Sequence, residues 1–327
     1  MSRRSFAPAL LLVASVALLA GACTPGSGAV ASNPNWSVTT PAPSGGASAS
    51  GAVTPPKSAS VIPVLISSQS VVGANRFLFS FLDAKTNLPA ATPDRTVSVA
   101  FIAPGSSEPG PATEATFVWA IEGSRGEYVL PADFGAAGDW KAIFITQAPS
   151  TPQEAIGVAF QVVQDGSAVA VGEKAPATDN PTLASVGGDI KQISTDPKPD
   201  PAFYQVTVAE ALAQGQPFVL VFATPAFCKS AQCGPTLDRV KAVAASAPAN
   251  VAFINVEPYQ LKFTEGRLQP VTDANNAFQA VPSVDQWGIL SEPWIYVVDR
   301  TGIVRGSFEG VVSEQELTAA VKAVSGS

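Results

Sequence analysis

Residues 218–235 read FVLVFATPAFCKSAQCGP, and they are the best guide to the fold of the C-terminal half. Its first five residues, 218–222, are all apolar, which is typical of a β-strand covered on both faces. Cys228 and Cys233 follow, separated by four residues, and Pro235 comes just after them. Because proline suits the first position of a helix, we expect a helix to begin at Pro235, with Cys233 at or just before its start.

Apolar patterns on either side of this segment predict the other elements of the C-terminal half. Leu237, Val240 and Val243 recur at helical spacing, so the helix continues through them. The remaining predicted elements are a short helix at 206–213, strands at 251–256, 294–299 and 303–308, and a final helix at 314–324. The order is therefore strand, helix, strand, then a β-hairpin and a closing helix.

This order, with a cysteine pair between the first strand and its helix, resembles the thioredoxin fold over residues 200–325. The resemblance implies an α/β thioredoxin-like domain at 202–327. In that family a cis proline faces the dithiol from the start of a later strand. The resemblance gives this role to Pro293, directly before the strand at 294–299, with Pro282 as the second candidate.

The spacing of Cys228 and Cys233 restricts how the two can bond. Residues five apart in a regular α-helix have Cα atoms roughly 8.6 Å apart, whereas a disulfide needs less than about 7 Å. Either a loop precedes Pro235, or oxidation unwinds a helical turn. In an oxidising compartment, two thiols this close usually pair, as a structural or as a redox-active disulfide.

Thioredoxin-like proteins usually place two residues between their cysteines, and this chain places four, so two alignments compete. By chain order, Cys228 attacks and Cys233 resolves. By the Cys-Gly-Pro string, Cys233 attacks and Thr236 replaces the second cysteine. We favour Cys228, as the more accessible thiol. The carboxylate of Glu292 either disfavours a thiolate at the pair or points to solvent, and Lys229 is the nearby cation that could offset its charge.

Composition narrows the possible functions. The 327-residue chain contains no histidine, which excludes histidine triads and histidine metal sites. Its net charge of −7 offers no basic surface, so we expect no nucleic-acid partner. The three cysteines are the strongest nucleophiles in the sequence, and we predict no cofactor.

Residues 1–23 have the pattern of an export signal, in which two arginines and a short apolar core precede small residues and Cys23. The end of this segment resembles a bacterial lipoprotein signal, whose cysteine becomes the lipidated first residue. We therefore expect Cys23 to anchor the chain to the outer face of the cell membrane. Ordinary secretory cleavage and a retained helix are the alternatives. The arginine pair also resembles a twin-arginine signal, so both export routes stay open.

The region before the C-terminal half divides into two linkers and a β domain. Residues 24–60, rich in Pro, Gly, Ala and Ser, predict a disordered linker. Residues 61–165 contain six or seven short alternating strands, which predict an antiparallel β-sandwich, immunoglobulin-like in architecture. Trp119 and Trp140 are expected in its core, and the domain is interpreted as a spacer or a module that binds a protein partner. Residues 166–201 are the predicted interdomain linker.

These features favour an exported thiol–disulfide oxidoreductase that acts on protein disulfides or thiols through Cys228, Cys233 and Pro293. The main alternative is a non-catalytic binding module with a structural disulfide. A peroxidase is a third hypothesis, since Thr224 and the cysteine spacing resemble those of peroxiredoxin Q-type enzymes. The threonine stands one position earlier than in that family. Sco-type copper proteins share the fold, but their histidine ligand is missing here, which leaves a two-thiolate copper(I) site.

Overall fold

The computed structural model describes residues 59–326. In this range the chain is rich in β-structure, with fifteen strands and only four α-helices. The predicted signal peptide, Cys23 and the predicted linker up to residue 58 lie outside the described residues. None of the helices in the described range is long and apolar enough to cross a membrane.

Nine strands in two sheets form the N-terminal half. They are β1 (Val61–Leu65), β2 (Ser70–Val71), β3 (Gly73–Asp83), β4 (Thr96–Ile102), β5 (Thr113–Glu114), β6 (Thr116–Ile121), β7 (Arg125–Phe134), β8 (Gly138–Gln147) and β9 (Glu154–Val163). The sheets have the orders β1-β3-β7-β6 and β2-β9-β8-β4-β5. Every pair is antiparallel except β2 with β9, which is parallel. Strands β2 and β5 are too short to show an alternating pattern, which is why fewer strands were predicted.

The two sheets pack face to face over an aromatic core. Phe77, Phe79 and Phe81 alternate along β3 and are all buried, as a period of two predicts. The ring centroid of Phe79 lies 4.8 Å from that of Phe144 on β8, which belongs to the other sheet. This β-sandwich therefore has a single apolar core between its sheets.

The two tryptophans expected in that core differ. Trp140 is buried, and its indole N–H donates to the Ala136 carbonyl at 2.9 Å. Trp119 is only half-buried, and its carbonyl accepts a hydrogen bond from Arg239 of the C-terminal half. The prediction for Trp119 is therefore wrong. Strand β6 lies at the edge of its sheet, so its inner face is only partly covered.

Residues 166–201, predicted as an interdomain linker, pack along the C-terminal half. Lys174 forms a β-bridge with Ile303. Asn180 Oδ1 accepts a hydrogen bond from the Val208 N–H at 2.9 Å. Three 3₁₀ turns lie in or just after the segment: Ala184–Val186, Ile190–Gln192 and Pro201–Tyr204. The Pro and Asp residues of the segment therefore form tight turns, and hydrogen bonds hold the segment against the C-terminal half at several points.

A four-stranded sheet forms the centre of the C-terminal half, with the order β11-β10-β14-β15. The strands of this half are β10 (Phe218–Phe222), β11 (Ala252–Val256), β12 (Leu261–Thr264), β13 (Arg267–Pro270), β14 (Trp294–Val298) and β15 (Val304–Glu309). Strand β10 pairs in parallel with β11 and antiparallel with β14. All five residues of β10 are buried, as predicted for a strand covered on both faces.

Helices cover both faces of this sheet. They are α1 (Val208–Ala213), α2 (Cys233–Ala244), α3 (Pro282–Trp287) and α4 (Glu314–Ser325). Val219 of β10 shares an apolar cluster with Leu237 of α2 and Leu317 of α4. Leu220, the next residue, faces the opposite way and clusters with Trp287 of α3, on the side that α1 also covers. Successive side chains of one strand therefore fill two separate cores.

Residues 257–281, between β11 and α3, make an excursion that was not predicted. Strands β12 and β13 pair as a hairpin that turns at Glu265 and Gly266, whose φ angles are 54° and 78°. Positive φ at both central residues is the geometry of a tight hairpin turn, which glycine favours. The excursion brings Tyr259 and Phe278 to the region of the cysteine pair.

The β-sandwich and the C-terminal half share an interface, which we call the junction. On the outer face of the first sheet, Leu78 of β3 and Val129 of β7 cluster with Val311. The Arg76 guanidinium of β3 donates to the Glu316 carboxylate of α4 at 3.1 Å. An apolar centre with an ion pair beside it therefore joins the two halves.

Candidate functional site

Cys228 lies in the loop that follows the carboxyl end of β10, and Cys233 is the first residue of α2. They form a disulfide with Cα atoms 5.9 Å apart, which confirms the predicted pairing. Helix α2 begins at Cys233, two residues before the predicted start at Pro235. Proline is tolerated at this third position because the N–H groups of the first helical turn have no acceptor within the helix.

The two sulfurs differ in accessibility. Cys228 is half-buried, in the loop ahead of the helix, whereas Cys233 is completely buried. Solvent therefore reaches part of the Cys228 residue and no part of Cys233. Cys233 and the half-buried Cys228 both pack against the cluster that lies between the sheet and α2.

Two polar groups lie against the sulfur of Cys228. The backbone N–H of Cys233, the first residue of α2, donates to Cys228 Sγ at 3.2 Å. The hydroxyl oxygen of Ser230 is 3.3 Å from the same sulfur. Helix N-termini carry unpaired N–H groups and a partial positive charge, which favours negative charge on a nearby atom. The site therefore suits a thiolate at Cys228.

The loop between the cysteines, residues 229–232, is held in an unusual conformation. Ala231 has a φ of 60°, in the left-handed region that residues other than glycine seldom adopt. The Ser230 hydroxyl oxygen accepts from the Gln232 N–H at 3.3 Å, which closes the loop from inside. Such a conformation persists only when surrounding contacts fix it.

Pro293 lies beside this loop. The Glu292–Pro293 peptide bond is cis, and Pro293 directly precedes β14. The Ser230 hydroxyl donates to the Glu292 carbonyl at 3.3 Å, so the segment before β14 contacts the cysteine loop. Pro282, the second candidate, instead occupies the first position of α3.

Glu292 brings negative charge to the edge of the site. Its carboxylate accepts from the Lys229 backbone N–H at 3.4 Å. Burial raises the pKa of the Tyr259 hydroxyl, and the neighbouring Glu292 carboxylate raises it further. The Lys229 ammonium lies 5.9 Å from the centre of the Tyr259 ring. Lys229, the cation that we expected to offset the charge of Glu292, therefore lies near the ring of Tyr259.

Three aromatic rings, which we call the aromatic wall, stand next to Cys228. The ring of Phe227 lies 6.0 Å from that of Phe278, and Phe278 lies 5.2 Å from Tyr259. Two members of the wall come from the excursion between β11 and α3. The excursion missed in the sequence therefore contributes to the surface around Phe227, the residue before Cys228.

Glu257, the residue after β11, is a buried acid below the loop. Its carboxylate accepts from the Thr195 N–H at 2.6 Å, and burial raises its pKa to about 7. The Thr195 hydroxyl in turn accepts from the Ala226 N–H at 3.2 Å, two residues before Cys228. Glu257 and Thr195 therefore support the start of the cysteine loop. A lone acid after an apolar strand was the only sequence signal for this role.

The β-sandwich reaches the cysteine loop directly. The Arg125 guanidinium on β7 donates to the Ser230 carbonyl at 2.6 Å. The Gln232 side-chain amide donates to the Glu127 carboxylate, also on β7, at 2.5 Å. Burial raises the pKa of Glu127, while the Gln232 hydrogen bond and the Arg125 charge oppose that rise. No local spacing in the sequence indicates these contacts, which join residues 105 positions apart.

Among residues 59–326 the structure has no group of three or more His, Cys, Asp or Glu side chains arranged to hold a metal ion. The two thiols proposed for a copper(I) site are joined to each other in the disulfide.

Comparisons with known proteins add no functional assignment. No family model matches the chain, and no curated protein does. Solved structures similar to it include a candidate glycoside hydrolase from Bacteroides vulgatus, which is 12% identical with a TM-score of 0.21. That match covers 66% of this chain and 36% of the other, so the chain spans about a third of the length of that protein.

Proposed function

We propose that the protein is a thiol–disulfide oxidoreductase that uses Cys228 and Cys233. The observation that carries the proposal is the asymmetry of the pair. Cys228 is partly exposed and its sulfur accepts the first N–H of a helix, while Cys233 is completely buried at that helix start. An attacking thiol needs access and thiolate character, whereas a resolving thiol needs only to be close.

In the proposed cycle the Cys228 thiolate of the reduced protein attacks one sulfur of a substrate disulfide. A mixed disulfide forms between Cys228 and the substrate, and the second substrate sulfur leaves as a thiolate that takes up a proton. Cys233 then loses its proton and attacks Cys228 Sγ, which releases the first substrate sulfur as a thiol. Two electrons pass from the protein to the substrate, and the same steps run backwards oxidise a substrate dithiol.

The arrangement of the C-terminal half supports a thioredoxin-like fold as part of this proposal. Strand β10 leads into the cysteine loop and α2, and β14 follows Pro293. The packed sheets of the N-terminal half are compatible with an immunoglobulin-like architecture. Export and anchorage through Cys23 complete the proposal, and they place the pair where protein disulfides form.

A second candidate function is a non-catalytic module in which the disulfide is a structural staple. The complete burial of Cys233 and the contacts that fix residues 229–232 favour it. The two candidates differ in whether the pair cycles under physiological redox conditions.

A redox titration of the full chain against glutathione tests the proposal, read by thiol labelling in a Cys23→Ser background. An oxidoreductase is expected to show a reversible two-electron transition above about −270 mV. Cys228→Ser and Cys233→Ser should each abolish it. If the pair stays oxidised until the chain unfolds, the enzyme proposal fails and the structural staple is supported.

A further inference from the structure

We propose that Arg125 and Glu127 of the β-sandwich are positioning residues of the cysteine pair, which hold the loop at 229–232 in its oxidised conformation. This inference rests on the proposed function for its redox consequence. It gives the β-sandwich a role inside the site, beyond that of a spacer or a module for docking a partner.

The two anchors belong to one strand and point the same way. Residues two apart in a strand face the same side of the sheet, so Arg125 and Glu127 both project from the outer face of β7 toward the junction. Gly126, between them, faces inward, where a side chain would collide with the ring of Phe117 and the carbonyl of Ala91. The close packing behind the strand therefore fixes the position from which both anchors reach the loop.

The two anchors bind the loop on either side of Ala231, the residue with the left-handed backbone conformation. Arg125 binds the carbonyl of Ser230, and Glu127 binds the side chain of Gln232, on either side of Ala231 with its φ of 60°. A left-handed alanine is disfavoured in a free chain, so the disulfide and the contacts around the loop together hold this conformation. The two anchors provide such contacts from the β-sandwich.

The contact between Glu127 and Gln232 is costly to lose. Glu127 is completely buried, and its second carboxylate oxygen has no hydrogen-bond partner among the described residues. Its bond to Gln232 therefore satisfies one oxygen of a carboxyl group that is fully buried. Gln232 immediately precedes Cys233, so any shift of Gln232 moves the first turn of α2 and the N–H that contacts Cys228 Sγ.

The redox consequence follows from which state the anchors fit. The contacts are made to the loop as it stands when the disulfide is closed. Reduction breaks the disulfide between Cys228 and Cys233. The contacts from Arg125 and Glu127 then limit how far the loop can move. Removing an anchor should therefore stabilise the dithiol relative to the disulfide, so that the pair becomes easier to reduce.

The test is a glutathione titration of the full chain in the Cys23→Ser background, comparing Arg125→Ala and Glu127→Ala with Arg76→Ala. Arg76 binds Glu316 at the same junction and makes none of the contacts described for residues 228–233, so Arg76→Ala reports general loosening of the junction together with the loss of a positive charge near Glu127. We expect each anchor variant to shift the equilibrium about tenfold toward the dithiol, which is about 30 mV for a two-electron couple. Arg125→Lys should shift the equilibrium less than Arg125→Ala does, and Arg76→Ala should leave the potential unchanged. If Glu127→Ala does not fold, the Arg125 variants still decide the question.

Amide hydrogen exchange of the oxidised protein separates this proposal from the proposed function. If the wild-type pair does not titrate with glutathione, the oxidoreductase proposal fails, and exchange at residues 229–233 then tests the anchors alone. Faster exchange in Arg125→Ala than in Arg76→Ala supports the anchoring role. Equal exchange overturns it, and so does a wild-type-like potential in Arg125→Ala or an equal shift in Arg76→Ala.

Discussion

The backbone N–H of Cys233 donates to the sulfur of Cys228 at 3.2 Å, so the first amide of helix α2 points at the accessible cysteine. In the reduced protein the same amide is available to a thiolate at Cys228. We therefore expect the pKa of the Cys228 thiol to lie below the value of about 8.5 for a free cysteine. The rate of alkylation against pH, in a reduced protein that carries Cys23→Ser and Cys233→Ser, measures it.

Glu292 should oppose this effect, because its carboxylate lies against the backbone of Lys229, the residue next to Cys228. Glu292→Gln removes the negative charge and should lower the pKa of Cys228 by roughly half a unit to one unit. Glu108→Gln, an exposed change on the β-sandwich, is the matched control and should have no effect. An unchanged alkylation profile in Glu292→Gln contradicts the prediction.

The disulfide should stabilise the folded chain modestly, because the loop it closes is short, with a sequence separation of 5. The chain-entropy relation gives about 2 kcal/mol for a loop of this size. Urea unfolding with and without reductant should show this loss of stability on reduction. The Cys228→Ser, Cys233→Ser double variant should not respond to reductant, and coincident wild-type curves in the two conditions would falsify the estimate.

Glu257 should make stability depend on pH. Its pKa is raised from 4.5 to about 7, so the folded state holds the proton more tightly than the unfolded chain does. The resulting stability is present below about pH 4.5 and is lost as the pH rises to about 7, by at most about 3 kcal/mol. Glu257→Gln keeps an oxygen for the Thr195 N–H and does not titrate. Its free energy of unfolding should fall less between these pH values, whereas Glu265→Gln, at an exposed turn, should follow the wild type.

Local patterns predicted much of the C-terminal half. Strand β10 was evident because five consecutive apolar residues are needed when both faces of a strand are covered. The start of α2 was placed two residues late, because proline fits anywhere in the first helical turn and marks no single position. The pairing of Cys228 with Cys233 was predictable from proximity, but their different burial was not, since burial depends on packing against distant segments.

The contacts that complete the site were beyond local reasoning. Arg125 and Glu127 reach Ser230 and Gln232 across 105 positions, and alternation along β7 gives no sign of what lies opposite its outer face. The excursion at 257–281 was different, since the Glu265-Gly266 turn was a usable hairpin signal. These polar contacts form only when the β-sandwich packs against the C-terminal half. No fixed spacing in a single sequence shows which residues will meet there.

The pair Gln232 and Glu127 should be strongly coupled in stability. Gln232→Ala leaves a buried carboxyl oxygen without its donor, which costs more than the loss of the hydrogen bond itself. In a Glu127→Ala background the same change removes no such bond. A double-mutant cycle of urea unfolding should therefore give a coupling energy of about 2 kcal/mol. Arg76 with Glu316 is the reference pair at the same junction, and its more exposed side chains should couple by only about 0.5 kcal/mol. Equal coupling energies in the two cycles would mean that the Glu127–Gln232 bond is no stronger than the Arg76–Glu316 ion pair. The β-sandwich would then not fix the cysteine loop through Glu127.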